Sequence, residues 1–319
     1  MTQTSQALIA FGPVPSRRLG RSLGINNIPP KSCSYSCLYC QVGITQRREI
    51  EPRSFYSPDA IARAVTQQVE KAEQAGESID YLTFVPDGEP TLDINLDKSI
   101  NLLRPLNIPI AVISNASLVW LDNVRRILRE ADWVSLKLDT IDERIWQQLN
   151  QPHPDLQLPD ILQGIKKFAD SYPGKLVTET MLVAGVNDAP DSLVELSEFL
   201  VSVKPAIAYL AVPTRPPAYH EVTAPDEQRL IQAFEIFKAK LDEVQYLIGY
   251  EGDEFVPLGD PKHNLLAITA VHPMREEAIQ HFLTKAGCDW SLVETLLAEG
   301  EIRQVCFGEH RFYVRRPVP

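Results

Sequence analysis

Basic residues are scarce beside acidic ones: 31 Lys and Arg stand against 42 Asp and Glu in 319 residues, a formal net charge of −11. Broad binding to a nucleic-acid backbone needs the opposite balance, although a local basic patch is compatible with it. The start, MTQTSQALIAFGPVP, has no charged segment leading into an apolar run, and no stretch approaches the roughly 18 apolar residues of a membrane span. A cytoplasmic protein with no membrane partner is therefore expected. Cysteine is sparse too: there are five, an odd number, and Cys33, Cys37 and Cys40 crowd into one short segment. That distribution argues against a disulfide framework and for metal or redox chemistry in a reducing compartment. No internal repeat or low-complexity segment stands out.

What is present is ordinary for a globular chain, with 44% apolar and 23% charged residues. The length exceeds the usual single domain, so one large and one smaller domain are expected. Helix signals run over 58–74, 95–106, 121–130, 159–172, 190–203 and 225–244, several of them opened by Pro or Asp. Short β-rich runs lie between them at 81–85, 109–113, 133–138, 176–183 and 207–212. With an apolar stretch at 22–28 ahead of the cysteines, this makes six βα units. Such alternation implies right-handed crossovers and a parallel sheet, either a full or partial barrel or a doubly wound open sheet.

The rhythm stops at 251–262 (EGDEFVPLGDPK), an acidic stretch with Gly and Pro that reads as a linker. Beyond it, helices at 275–286 and 289–298 are split by Gly287, and 302–306 with 311–315 form a hairpin turning at Gly308-Glu309. The expected fold is α/β: a partial TIM-like (β/α)6 barrel over 1–250 carrying the cysteine loop, then a linker over 251–262, then a small winged-helix-like domain over 263–319. The putting together of helix, helix and hairpin suggests nucleic-acid binding, and Arg303, Arg311, Arg315 and Arg316 lie on its wing. The second helix (DWSLVETLLAEG), however, is acidic and has no Lys or Arg, which favours a protein-contact, substrate-presenting or lid role.

Cys33-Ser-Tyr-Ser-Cys37-Leu-Tyr-Cys40 has the spacing C-x3-C-x2-C. Three thiolates on one short loop suit three corners of an iron–sulfur cubane, and a missing fourth ligand leaves one iron open to a reactant. A structural zinc site would need a second arm, yet Cys288 and Cys306 are distant and the six histidines form no ligand-spaced pair. The two remaining cysteines read as small buried residues.

The three cysteines with Tyr39 as the aromatic before the last resemble the motif of the radical S-adenosylmethionine (SAM) superfamily. The flanking GPVPSRRLGRSLGINNIPP and QVG are similar to the bacterial branch grouped with wyosine-type tRNA-base-forming Fe-S oxidoreductases, over roughly residues 11–255. The resemblance implies a [4Fe-4S] cluster on Cys33, Cys37 and Cys40, chelation of SAM by the open iron, and reductive cleavage of SAM to a 5′-deoxyadenosyl radical that modifies a substrate. It also implies an electron donor such as flavodoxin or ferredoxin.

Asp87-Gly88-Glu89-Pro90-Thr91, after the strand at 81–85, resembles the family's Gly-Gly-Glu-Pro motif that meets the SAM amino group, except that Asp87 replaces the first Gly; alone, it would be an ordinary turn. Ser114 and Asn115 end the next strand, where the family places polar contacts to SAM; either residue also suits a helix cap. Ser135, Lys137 and Asp139 share one strand face, so Lys137 is expected either to meet the SAM carboxylate or to pair with Asp139. The loop 183–188, with Gly185, is similar to one that packs near the adenine, or is a plain turn. Arg215 is a candidate for an anionic substrate or a solvated loop residue. Arg17, Arg18, Arg21, Arg47 and Arg48 flank the cysteine loop and form either an anion site or a solvated surface. A tRNA-base-modifying enzyme and a noncatalytic iron–sulfur redox sensor with a winged-helix output are the alternatives to a radical SAM enzyme of unidentified substrate, an anion being one candidate.

Overall fold

The apolar runs of period two become the strands of one eight-stranded sheet in a computed structural model that describes residues 9–249 and 252–316. They are β1 (Ala10–Ser16), β2 (Gly20–Ile25), β3 (Tyr81–Phe84), β4 (Ile110–Ser114), β5 (Trp133–Lys137), β6 (Lys175–Met181), β7 (Ile207–Ala211) and β8 (Val244–Leu247). β1 and β2 form an antiparallel hairpin, and every later strand pairs in parallel with its predecessor. The helices α1 (Pro58–Gln74), α2 (Leu96–Leu103), α3 (Asp122–Leu128), α4 (Glu143–Asn150), α5 (Leu158–Ala169), α6 (Pro190–Val203) and α7 (Glu227–Lys238) fill the crossovers. A doubly wound sheet reverses its strand order at a switch point. This one keeps chain order throughout and curls into a partial barrel, which removes the open-sheet alternative.

The alternation along each strand divides the interior in two. Leu82, Phe84, Ile110, Val112, Val134 and Leu136 face outward into a core shared with Ile61, Val65, Ile100, Ile127 and Ile165 of the helices. Ala111, Trp133, Val177, Tyr209 and Ala211 point inward and pack with Leu19 from the β1–β2 turn. Burial of each large aliphatic side chain contributes about 1.5–3 kcal/mol.

Three elements depart from the expectation. β1 adds an antiparallel edge. α4 starts where Asp142 accepts bonds from the backbone N–H groups of Arg144 and Ile145, and it buries Trp146 and Leu149. The helix expected to reach 244 ends at Lys238, and Val244 instead opens β8, with Leu247 in the barrel interior and Val244 in the outer core. No pairing joins β1 to β8 among the described residues. The Arg17 guanidinium crosses that seam and donates to the carbonyls of Leu247 and Gly249 at the end of β8.

After the barrel come α8 (Pro261–Val271), β9 (Met274–Arg275), α9 (Glu276–Ala286), α10 (Ser291–Ala298), β10 (Ile302–Phe307) and β11 (His310–Arg315), with a three-stranded sheet in the order β10-β11-β9. Asp260 caps α8 by accepting from His263 N at 2.9 Å, so the helix begins inside the stretch 251–262. The core of this unit takes in Phe11 and Val14 of β1, which seats it on the hairpin. No helix among the described residues is long and apolar enough to cross a membrane.

Gly164 fixes the approach of α5 to the turn before α3, because a Cβ there would lie 2.6 Å from the Trp120 backbone. Alanine is the better helix former by about 1 kcal/mol, but the overlap outweighs that gain. Gly164→Ala is expected to lower stability by about 1–3 kcal/mol in urea unfolding, and an unchanged or raised midpoint would contradict the close contact.

Candidate active site

The connection between β2 and α1 carries the three cysteines, and backbone hydrogen bonds fix it on both sides. Toward β3, Lys31 N donates to Asp87 O at 2.7 Å and Glu89 N donates to Ser32 O at 2.9 Å. Toward α4, Ser36 N reaches Asn150 O at 3.1 Å, Leu38 N reaches Leu149 O at 2.9 Å, and His153 N reaches Ser34 O at 2.9 Å. The loop is thereby strung across the mouth of the barrel, beside the ends of the parallel strands, where side chains from many segments converge.

Cys33, Cys37, Cys40, Tyr39, Gly88, Asn115 and Lys137 all line one cavity of about 270 Å³. Glu89, Pro90 and Ser135 do not. Glu89 is fully buried. Its carboxylate accepts from Thr91 N at 3.0 Å, Thr91 Oγ1 at 2.6 Å, Ser114 Oγ at 2.8 Å and Asn115 N at 2.7 Å. Burial raises its pKa against the pull of those donors. Pro90 opens a short 3-10 turn over Pro90–Leu92. Ser135 sits deeper in the barrel, buried, with no hydrogen-bond partner for its hydroxyl.

Lys137 pairs with Glu179 on the neighbouring strand, Nζ to Oε1 at 2.8 Å, rather than with Asp139. The register of β5 and β6 sets the two residues side by side, and the Lys137 ammonium lies 4.8 Å above the Tyr39 ring. Burial lowers the Lys137 pKa. Asp139 is committed elsewhere: it accepts from the Tyr39 hydroxyl, from Asn150 Nδ2 at 2.8 Å and from Met181 N at 2.8 Å.

The five arginines do not converge. Arg17 and Arg18 line the cavity, but Arg21 pairs with Glu77 and Arg48 donates to the carbonyls of Gln151 and Pro152, while Arg47 is exposed. Arg215 does line it, and is neither solvated nor loose: it donates to Gln41 Oε1 at 2.7 Å and lies 3.0 Å from His272 Nε2. His272 is held well below the usual histidine range by burial and by Arg215, so the ring is neutral and accepts. The loop 183–188 is a self-bonded turn, with Gly185 at φ +70° and Gly185 N on Asp188 Oδ1 at 2.9 Å, and it does not line the cavity.

Several participants had weak sequence signals. Glu179 is a lone carboxylate in a strand expected to be buried, and that oddity was available. Asn150 and Gln41 were not readable: the first ends an unforeseen helix, and the second gains its role only through contact with α8.

The donor set suits an iron–sulfur cluster. Burial and the neighbouring cysteines push the Cys33 thiol up, and burial and Asp139 push Cys37 to about 12, so thiolates here need a cationic metal centre to hold them. Side-chain amides are already directed at two of the sulfurs: Asn115 Nδ2 lies 3.5 Å from Cys33 Sγ and Asn150 Nδ2 lies 3.5 Å from Cys37 Sγ. Among the described residues no three His, Cys, Asp or Glu converge on a position for a single ion. A cluster asks for less convergence, because its thiolates are shared among several irons.

Residues 27–199 match the Radical SAM superfamily. The chain belongs to it. Membership implies an iron–sulfur cluster and SAM, and makes this protein an enzyme. A UPF0026 protein of Methanocaldococcus jannaschii is 44% identical to this radical SAM chain over 309 residues, 96% of each. A UPF0026 protein of Helicobacter pylori is 29% identical over 316 residues, covering 96% of this chain and 97% of that one. Among solved structures, TYW1 with a lysine-pyruvate adduct bound superposes with a TM-score of 0.54 and 15% identity, over 69% of this chain and 74% of that one. Likeness at that identity is likeness of fold.

A Cβ on Gly88 would lie 2.0 Å from Ser32 O, so the turn at 87–90 rests directly on the cysteine loop. Gly88→Ala is expected to reduce iron and sulfide bound per chain after anaerobic reconstitution while the far-UV circular dichroism stays native; full loading would refute the contact. Loss of the amide next to Cys33 in Asn115→Ala should move the cluster reduction potential to more negative values, because hydrogen bonds to sulfur stabilise the reduced form. A redox titration followed by electron paramagnetic resonance reads that shift.

Proposed function

We propose that Cys33, Cys37 and Cys40 hold a [4Fe-4S] cluster and that the enzyme cleaves SAM reductively to modify an anionic substrate. The supporting observation is that the three cysteines share one cavity with Tyr39, Gly88, Asn115 and Lys137. When bound and reduced, such a cluster supplies the electron that breaks a sulfur–carbon bond of SAM, giving the 5′-deoxyadenosyl radical that takes hydrogen from a substrate.

The chain's own part is binding, orientation and exclusion of water. Gly88 lets backbone carbonyls approach the SAM amino group, with Glu89 and Pro90 holding the turn in shape. Lys137 donates to the SAM carboxylate from its seat on Glu179 and Tyr39. Asn115 contacts both the cysteine loop and SAM, while Ser135 lies deeper in the barrel, beneath the cavity. Arg17, Arg18 and Arg215 give the remaining wall a basic character suited to an anionic substrate. Flavodoxin or ferredoxin is the class of electron donor this chemistry requires.

In this reading the barrel is followed by a linker that ends where α8 begins at Pro261 and then by a winged-helix-like unit that closes the site or presents the substrate. What supports a closing role is contact with the cavity wall: Gln41 Nε2 donates to Val271 O at 2.7 Å, and His272 engages Arg215. Burial pushes the Asp87 carboxyl up to about 7, against the pull of Lys31 and of Arg315 on β11. The helix that would read DNA, α10, brings Glu294 and no cation. A tRNA substrate is not adopted, because fold likeness does not carry a substrate with it.

Anaerobic reconstitution followed by dithionite and SAM should release 5′-deoxyadenosine, and an intact cluster that yields none would overturn the proposal. Lys137→Met should weaken SAM binding roughly tenfold or more, the worth of one charge-assisted hydrogen bond, as measured by equilibrium dialysis.

A further inference from the structure

Arg18 has a use that its ion pair with Glu179 leaves over. Its side chain is 18% exposed and that of Glu179 10%, and the two are joined through Arg18 Nη1 and Glu179 Oε2. The other oxygen of Glu179 is taken by Lys137. One largely buried carboxylate thus serves two largely buried cations. Burial and the neighbouring Arg17 pull the Arg18 guanidinium down to about 10, a sign that its charge is only partly compensated.

The guanidinium keeps a second edge. Among the described residues only Nη1 of this side chain has a hydrogen-bond acceptor, and neither Nε nor Nη2 is sealed in the protein interior without one. Nε–H and one Nη2–H point the same way and form the fork that matches two oxygens of a carboxylate or phosphate. Arg18 also stands where two cavities meet. One is the 270 Å³ cavity of the cysteines. The other, about 140 Å³, is lined by Arg17, Arg18, Arg215, Ser22, Thr83 and His272 among others, with no Asp or Glu and none of the cysteines. Gln41, next to the last cysteine, lines it too, and it has room for a small head group.

We propose that the Nε/Nη2 edge of Arg18 binds a carboxylate or phosphate group of the substrate in this second cavity. The inference rests on the reading that Lys137 serves the carboxylate of SAM, which leaves Arg18, of the two cations on Glu179, for the other ligand. Glu179 takes Nη1 and so turns the free edge toward the ligand.

The test uses the reconstituted, SAM-loaded protein and two probes, inorganic phosphate and succinate, titrated by isothermal calorimetry at low ionic strength. One or both should bind the wild type, and which of them binds separates a phosphate from a carboxylate site. Arg18→Gln should weaken that binding at least tenfold, and Arg18→Lys, which keeps the charge and loses the fork, should weaken it several-fold. If Arg18→Gln fails to load a cluster, Arg18→Lys decides. Unchanged affinity in the variants, or no binding of either anion to a wild type that still binds and cleaves SAM, overturns the role of Arg18 and leaves the function standing. A wild type that neither binds nor cleaves SAM removes the function first and this inference with it.

Discussion

The Glu89 carboxylate ties the cysteine loop to the strand ends beneath it. It is wholly removed from water, yet four donors from two segments meet it, and those segments follow β3 and β4. A buried carboxylate is tolerated only when its acceptors are satisfied in this way. The consequence is a rigid junction: the backbone of Glu89 grips Ser32 ahead of the first cysteine, and Asn115, whose backbone N–H meets the same carboxylate, directs its side chain to Cys33 and Ser34. The conformation of the cysteine loop is thus set from below by a hydrogen-bond network centred on one buried carboxylate.

A second network holds the other side. Asp139 gathers Tyr39, Asn150 and the backbone of Met181, and Asn150 in turn faces Cys37. Trp146 of α4 donates to the Tyr35 hydroxyl at 3.1 Å, so the loop is pinned at an apolar position as well. Between the two networks the lysine and arginine share Glu179, the one placed by strand register and the other by the β1–β2 turn. The division is a physical one: carboxylates whose oxygens meet several donors shape the loop, while the shared carboxylate holds two cations at the cavity wall.

Much of this was legible in the sequence because it depends on local pattern. Strand–helix alternation determined the barrel, since apolar period and loop length are properties of neighbouring residues, and α1 and α6 fall at the expected limits. The cysteines were singled out by their spacing, Gly88 by a motif resemblance, and Asn115 and Lys137 by their places at strand ends; the structure brings all of them to one cavity. Of the two expectations for Lys137, the pairing with Asp139 fails for a reason specific to sheets: Asp139 is near in sequence, but Glu179 is opposite in the parallel register, and register is not written in either strand alone. Glu89 illustrates the reverse error. Its motif was recognised, but the carboxylate works inward, which only the positions of Ser114 and Thr91 reveal. The short strand β8 was hidden because a helix pattern running into it masked four residues of alternation.

Gln41 follows the last cysteine of the loop and donates to Val271 O, a partner 230 positions later in the chain. A contact between segments so far apart closes a very long loop, and such contacts form late in folding. During synthesis, with the N-terminal part of the chain emerging first, the cysteines leave the ribosome long before the end of α8 exists. The wall of the cavity is therefore complete only after most of the chain has been made, and in the interval the cysteine loop has its barrel-side supports but not this one. Order in time, as well as position in space, is written into the place of a single glutamine.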